Sequence, residues 1–312
     1  MTDLAAKVLH GDPRSIARLI TLVENDDADA YETMKKIHAY TGRAIVIGIT
    51  GVMGSGKSSL ILQLALVYRK QAKKVGIIAI DPTSPFSGGA LLGDRIRMTE
   101  LSTDKGVFIR SMGTRGMMGG LTGSLYDVVE ILDAAGMDVI LIETVGVGQD
   151  EVDIVKVADT TLVVLVPGLG DSVQTIKAGL MEIADIFVVN KADKPGVEQT
   201  IMELESMLDL VGSSDRRTPI VATSAAEKKG IDQLMSRISE HQGYLKEHDL
   251  FLVRRRQRYE AELVGIIRKR LMEFIFDEKK LKTTVDFCID QISKRELDPY
   301  SAAEQILGKI LK

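Results

Sequence analysis

Residues 44–58 read Ala44-Ile45-Val46-Ile47-Gly48-Ile49-Thr50-Gly51-Val52-Met53-Gly54-Ser55-Gly56-Lys57-Ser58. The first part, Ala44–Ile49, is a short β-branched run of the kind found in strands buried on both faces. The second part, Gly51 to Ser58, fits G-x-x-x-x-G-K-[ST], and an amphipathic stretch, Lys57–Lys70, follows it. Without a ligand the same letters would be a glycine-rich turn. The strand before and the helix after favour a phosphate cradle: glycines let backbone N–H groups turn inward around a β-phosphate, and the helix N-terminus adds its dipole. Lys57 is expected to reach the β- and γ-phosphates, Ser58 to offer its hydroxyl to Mg²⁺, and Ser59 to close the nucleotide-binding stretch.

Outward from this stretch the same alternation repeats. Short apolar runs stand at Val75–Ile80, Val107–Arg110, Val139–Ile142, Thr161–Val166, Ile186–Val189 and Ile220–Ala222. Amphipathic segments lie between them, at Ser124–Ala135, Val173–Ile183 and Val197–Leu210. Strands alternating with helices imply an α/β fold, a mostly parallel P-loop NTPase sheet flanked by helices, over residues 43–243. Residues 1–42 read as a helical extension: Asp12-Pro13 signals a helix start, and Ile16, Leu19, Ile20 and Val23 recur at helical spacing. A polar break at Asn25-Asp26-Asp27 precedes a second helix, which Gly42 is expected to end. Residues 244–312 read as a helical arm. Its segment 253–282 carries ten Lys or Arg against five Asp or Glu, with Leu263, Ile266, Ile267 and Phe274 at helical spacing. The plain reading of that charge is a solvated helix face, with a partner or dimer surface as the alternative.

Composition bounds the function. The 312 residues are 45% hydrophobic and 27% charged, ordinary for a chain that buries a substantial core. Forty basic and 44 acidic residues leave a formal charge of -4, which argues against a nucleic-acid partner. One cysteine, Cys288, excludes a disulfide scaffold and makes a cysteine zinc site untenable. The longest uncharged stretch, Ala44 to Gly56, is 13 residues, short of the roughly 18 needed to span a bilayer. No signal or transit pattern follows Met1, so the expectation is a cytoplasmic protein with no membrane partner. The four histidines, His10, His38, His241 and His248, lie away from the candidate loops, and no chemistry is assigned to them.

Some 130 residues after the phosphate loop, the run Ile186–Val189 ends in Asn190-Lys191-Ala192-Asp193. A carboxylate at Asp193 can accept from both the N1–H and the exocyclic amine of guanine, an edge on which adenine offers no such pair. Buried, charge-assisted hydrogen bonds discriminate strongly. Asn190 is expected to support the loop and face the purine N7 edge, and the Lys191 stem to lie along the ring. At the end of the next strand, Thr223-Ser224-Ala225 could present a backbone N–H to the guanine O6, so Ser224 and Ala225 join the nucleotide-binding set.

Carboxylates between these motifs suit Mg²⁺ and hydrolysis. Asp81 and Glu143 close predicted strands at the carboxyl edge of the sheet, where ligands of open parallel sheets bind. Glu143-Thr144-Val145-Gly146 stands where many GTPases carry D-x-x-G, so Glu143 can serve Mg²⁺ and Gly146 can offer its N–H to a γ-phosphate. Asp94 is a third candidate. For each carboxylate the alternative is a turn or cap residue. Glycine-bearing loops follow strands at Pro82–Met98, Gly146–Glu151 and Pro167–Asp171. Arg95 and Arg97 on the first, Gln149 on the second, and Gln174 and Lys177 after the third are candidates for a transition-state cation or water-positioning group.

Taken together, these residues resemble the methylmalonyl-CoA mutase-associated GTPases, the MeaB/ArgK group. The resemblance rests on Gly51–Ser58, on the long segment Asp81-Pro82-Thr83-Ser84-Pro85-Phe86-Ser87-Gly88-Gly89-Ala90-Leu91-Leu92-Gly93-Asp94-Arg95, on Glu143–Gln149, and on Asn190–Asp193. It implies a GTPase core with an N-terminal helical extension and a C-terminal arm that makes a homodimer. It further implies a metallochaperone whose GTP hydrolysis gates adenosylcobalamin delivery to a cobalamin-dependent acyl-CoA mutase, with an adenosyltransferase as a further partner. Carried over by position, Asp81, Asp94 and Glu143 would serve Mg²⁺ and catalysis, and the region 168–182 would be an extra switch facing the partner. Three other classes compete: a P-loop kinase or ATPase linked to basic amino-acid transport, against which the guanine motif stands; a GTPase chaperone for another metallocentre, which would call for His- or Cys-rich metal sites; and an interaction protein whose nucleotide is structural, which a turnover assay would exclude.

Overall fold

The computed structural model describes residues 4–81, 100–113, 120–144, 154–168, 182–211, 217–277 and 279–310. Three helices open the chain: α1 (Leu4–Leu9), α2 (Pro13–Glu24) and α3 (Ala28–Ile37). Asp12 caps α2 by accepting from the Ser15 N–H at 2.8 Å, ahead of Pro13 in the first turn, where its missing N–H costs nothing. The apolar stripe Ile16, Leu19, Ile20 and Val23 is buried, as its spacing predicts. The second predicted helix ends earlier than Gly42: α3 stops at Ile37, and a single 3-10 turn, His38–Tyr40, carries the chain on.

The core alternates as the sequence implies. In chain order come β1 (Ile45–Gly51), α4 (Lys57–Lys70), β2 (Val75–Asp81), β3 (Val107–Gly113), α5 (Gly120–Ala134), β4 (Val139–Glu143), β5 (Thr160–Leu165), β6 (Ile186–Val189), α6 (Val197–Val211), β7 (Ile220–Ala222) and α7 (Ile231–Glu247). The seven strands form one sheet, ordered β3-β2-β4-β1-β5-β6-β7, and every pairing is parallel. The predicted α/β class is therefore the observed one. Neighbouring residues of β5 serve opposite faces: Leu162 and Val164 enter the cluster containing Leu60 and Leu64 of α4 and Leu234 of α7, while Val163 and Leu165 pack with Leu204 of α6. A strand covered on both sides leaves no polar positions in its period-two pattern, which is why the runs are almost wholly apolar. The predicted helix at 173–183 lies outside the described residues except for its last two.

The amino edge of the sheet is a polar lock. Asp133, at the end of α5, accepts from the N–H groups of Gly42, Arg43 and Ala44 at 2.6, 3.2 and 2.9 Å. From the opposite side Arg255 donates to the carbonyls of Gly42 and Ala44. Arg255 belongs to α8 (Leu250–Asp277), whose Arg254 forks onto Asp185 at 2.7 and 2.8 Å and whose Arg258 donates to the Val157 carbonyl at 3.3 Å. Here the expectation of a solvated basic face is corrected for three of its members. Arg258 is buried and Arg254 and Arg255 are spent on the sheet edge, whereas Arg268, Lys269 and Arg270 are exposed. His241 of α7 is also structural: buried, it lies 3.0 Å from Thr160 Oγ1 and 3.2 Å from Asp185.

The chain forms two compact units, Met1–Arg258 and Tyr259–Lys312. The second holds the remainder of α8, then α9 (Lys279–Ser293) and α10 (Pro299–Ile310), with Asp298 capping α10 through the N–H groups of Tyr300 and Ser301 at 2.9 and 3.0 Å. Leu281, Val285, Cys288 and Ala302 are buried, while Leu263, Ile267, Phe274 and Phe287 are exposed. No helix among the described residues is long and apolar enough to cross a membrane.

Candidate functional site

The site is assembled at the carboxyl edge of β1, β4, β6 and β7. The phosphate loop leaves β1 at Gly51, whose φ of +135° belongs to the region only glycine enters without strain, and a Cβ there would stand 2.1 Å from the Val164 carbonyl oxygen. It closes at Gly56, the N-cap of α4, with φ of +87°. A Cβ at Gly56 would stand 2.5 Å from the side-chain nitrogen of Asn190, so the loop and the base motif are in direct contact. Val52 is half-buried, Met53 and Gly54 are exposed at the loop's tip, Ser55 is buried beneath it, and Ser59 lies half-buried in the first turn of α4. Lys57 is buried and folds back on its own loop, donating to the carbonyls of Gly51 at 2.8 Å and Val52 at 3.2 Å. An ammonium within a glycine-rich loop at a helix N-terminus is where the charge of a β/γ-phosphate would be met.

Directly after Lys57, the Ser58 hydroxyl donates to Glu143 Oε1 at 2.7 Å, and both residues are buried. Sheet register explains the meeting: Glu143 closes β4, which pairs with β1 on one side (Ile49 opposite Glu143) and β2 on the other (Ala79 opposite Glu143). Asp81 ends β2 two residues beyond Ala79, so its backbone comes to the same edge. A hydroxyl and a carboxylate at this separation are hard oxygen donors of the type Mg²⁺ accepts, with nucleotide phosphate and water able to fill the other octahedral positions. The donor set fits. Asp94, Arg95, Arg97, Gly146, Gln149, Gln174 and Lys177 lie outside the described residues.

The base motif is cross-braced. Asn190, buried, donates through Nδ2 to the Ser55 carbonyl at 2.8 Å, and its Oδ1 accepts from Thr223 Oγ1 and the Ala225 N–H, both at 3.2 Å. Lys191 takes a left-handed φ of +59° and its ammonium reaches the Gly54 carbonyl at 2.7 Å. Asp193 is exposed, and its carboxylate accepts from the Ser224 hydroxyl at 2.7 Å. The Ser224 hydroxyl and a backbone N–H hold the Asp193 carboxyl below its usual range. The structure thus brings together Gly51–Ser59, Glu143, Asn190, Lys191, Asp193, Ser224 and Ala225 from four loops. Sequence reading anticipated the members but missed two of the bonds. Ser224 acts through its side chain as well as its backbone position, and the Ala225 N–H, one of the Thr223-Ser224-Ala225 backbone groups considered for guanine O6, points to Asn190. A small hydroxyl residue one strand beyond an N-K-x-D was the available signal for the first.

Comparison with known proteins places the chain in a family. Residues 16–280 match the family model described as methylmalonyl Co-A mutase-associated GTPase MeaB. A protein of Pyrococcus abyssi named as a GTPase is 52% identical over 314 residues, covering 99% of this chain and 96% of its own. The GTPase ArgK of Escherichia coli is 35% identical over 245 residues, covering 75% of this chain and 73% of its own. A crystal structure described as a LAO/AO transport system kinase superposes with a TM-score of 0.72 over 99% of this chain and 97% of that one; at 23% identity it bears on the fold alone.

Proposed function

The chain belongs to the methylmalonyl-CoA mutase-associated GTPase family MeaB, and from that premise we propose that it binds and hydrolyses GTP to control cofactor loading of a cobalamin-dependent acyl-CoA mutase. GTPase identity is the family's; the mutase, the adenosylcobalamin cargo and an adenosyltransferase as a further partner are our reading of this chain. The observation that carries the reading is the bracing of Asn190 between the Ser55 carbonyl and the Ala225 N–H, which joins the phosphate-facing loop to the base-facing one.

In this reading Asp193 takes the N1–H and exocyclic amine of guanine, with Ser224 holding the carboxylate in place and the Lys191 stem along the ring. Lys57 exchanges its two loop carbonyls for the β- and γ-phosphates, a trade of neutral acceptors for anionic ones. The backbone N–H groups of Gly51–Lys57 close around the β-phosphate. Ser58 and Glu143 would hold Mg²⁺, with Asp81 and Asp94 assigned beside them, and the cation would supply neutralisation of phosphate charge. Gly146 is assigned to the γ-phosphate, and Arg95, Gln174 and Lys177 to transition-state charge or water positioning. Loops that order around the γ-phosphate and relax after hydrolysis would report nucleotide state to the mutase. The exposed apolar residues of α8 support a homodimer.

The test is GTP turnover with ATP as comparator, followed by size-exclusion chromatography with purified methylmalonyl-CoA mutase in the presence of GDP or a non-hydrolysable GTP analogue. Preference for GTP and nucleotide-dependent co-elution are expected. Equal use of ATP would overturn the base assignment, and no complex in either state would overturn the partner.

A further inference from the structure

Two buried threonines stand behind the nucleotide-facing side chains. Thr50, the next-to-last residue of β1, is fully buried, and Thr144, directly after β4, is 1% exposed. The Thr144 hydroxyl donates to Thr50 Oγ1 at 2.9 Å, and the Thr144 N–H donates to the Ile49 carbonyl at 3.1 Å. A hydroxyl in a β-branched, fully buried strand is a costly choice where valine has nearly the same shape, because a buried hydroxyl must find a partner. Each of these two threonines satisfies the other.

Their neighbours in the chain indicate what the pair does. Thr50 immediately precedes Gly51, the entry to the phosphate loop. Thr144 immediately follows Glu143, whose carboxylate receives the Ser58 hydroxyl at the loop's exit, 2.7 Å away. The dipeptide Glu143-Thr144 is therefore bonded to both ends of the loop: to Ile49 and Thr50 where the chain goes in, and to Ser58 where it comes out. In the GTPase reading, on which this inference rests, Ser58 would give up its bond to Glu143 when nucleotide is bound, since both side chains would then hold Mg²⁺. The exit bond is exchanged in that step, but the entry bonds have no reason to be.

We propose that the Thr50–Thr144 hydroxyl pair is a positioning pin, holding the end of β4, and with it Glu143, in register with the phosphate loop while the Ser58–Glu143 contact is exchanged. Such a pin acts on the hydrolytic step more than on affinity. GDP makes no demand on the γ-phosphate side, so its binding is nearly indifferent to the pair. Both residues are positioning residues, since neither hydroxyl is assigned to nucleotide.

The experiment compares wild type with Thr144→Val, Thr144→Ser, Thr50→Val and the double variant Thr50→Val/Thr144→Val. GDP affinity, kcat and KM for GTP, and the thermal midpoint are read for each. Each single valine variant is expected to lower kcat about five- to tenfold, the scale of one buried hydrogen bond, with GDP affinity within about twofold of wild type. Thr144→Ser, which keeps the hydroxyl, should restore kcat. The double variant should regain thermal stability, since no orphaned hydroxyl remains, yet stay slow. Wild-type kcat in the valine variants, recovery of kcat in the double variant, or a fall in kcat matched by an equal loss of GDP affinity would overturn the pin. A wild type that binds no guanine nucleotide would overturn the GTPase reading itself, so the two failures are told apart by the wild-type control.

Discussion

The side-chain nitrogen of Asn190 lies 2.8 Å from the carbonyl oxygen of Ser55, across 135 residues of sequence. One amide thereby sets the distance between the loop that holds phosphates and the loop that reads the base. Asn190→Ala removes both the donor to Ser55 and the acceptor for the Ala225 N–H, leaving buried polar groups unmet. At about 1–3 kcal/mol for such a loss, GDP affinity should fall about five- to a hundredfold in isothermal titration. Gly56→Ala should do similar damage from the other side, because its Cβ would press on the same Asn190 nitrogen. Wild-type affinity in both variants would refute the coupling.

The Asp193 carboxylate accepts from the Ser224 hydroxyl, which lowers its pKa and holds it in place. Asp193→Asn should weaken GTP binding about ten- to a hundredfold and shift preference toward xanthine nucleotides, whose C2 carbonyl suits an amide donor. Ser224→Ala should give a smaller loss with guanine preference kept, because the carboxylate loses its support but not its charge. Competition titrations with GTP, XTP and ATP decide both.

The strands were legible because burial on both faces writes an unbroken apolar run, and only their ends moved. Ala44–Ile49 became Ile45–Gly51, and Val107–Arg110 became Val107–Gly113. The phosphate and base motifs were legible because each is local. What could not be read was pairing across long sequence separations. Asp133 meets Gly42–Ala44 some 90 residues away, and Arg255 meets the same linker from more than 200. A run of arginines carries no information about which of its members is buried, so Arg254, Arg255 and Arg258 looked like their solvated neighbours. The hydroxyls of Thr50 and Thr144 were hidden for a related reason, since threonine in a strand reads as β-branched whether or not its oxygen is used.

Lys57 and Glu143 should separate binding from turnover. Lys57→Ala removes the ammonium now bonded to the Gly51 and Val52 carbonyls and should abolish tight GTP binding. Glu143→Gln keeps the shape and an acceptor for Ser58 but removes the charge assigned to Mg²⁺, so it should retain GDP and lose at least about a hundredfold in kcat. Hydrolysis by Glu143→Gln at the wild-type rate would remove Glu143 from the reaction.

The second unit leaves Leu263, Ile267, Phe274 and Phe287 exposed at 59, 56, 43 and 58%. Leu263, Ile267 and Phe274 repeat at helical spacing on α8, the pattern of a stripe that packs against another helix. If that stripe makes the proposed homodimer, Leu263→Asp with Ile267→Asp should halve the mass seen by light scattering while GTP turnover per chain survives. An unchanged mass would place the dimer contact elsewhere or deny it.

Asp185 ties α8 to the sheet edge and makes stability depend on acid. Burial alone would raise its carboxyl pKa, but hydrogen bonds from Arg254 and His241 outweigh that and bring it to about 2. The unfolded value is about 3.9. A depressed folded pKa means that the contribution is complete above the unfolded value and is lost as pH falls through the folded one. The difference of roughly two units is worth about 2–3 kcal/mol at neutral pH, lost between about pH 4 and pH 2. Arg254→Met leaves the buried carboxylate with His241 and the Thr161 N–H but without its guanidinium, and should cost about 3–5 kcal/mol at pH 7. Protonating Asp185 relieves exactly that unpaired charge, so the gap between wild type and Arg254→Met should narrow as pH falls below 4. Asp185→Asn supplies the control: with no carboxyl to titrate, adding Arg254→Met to it should give a gap that stays flat over the same range. Urea midpoints of the four proteins at pH 7, 5, 4 and 3 measure this, and a gap that widens with acid would show that Arg254 acts on the fold through something other than the Asp185 charge.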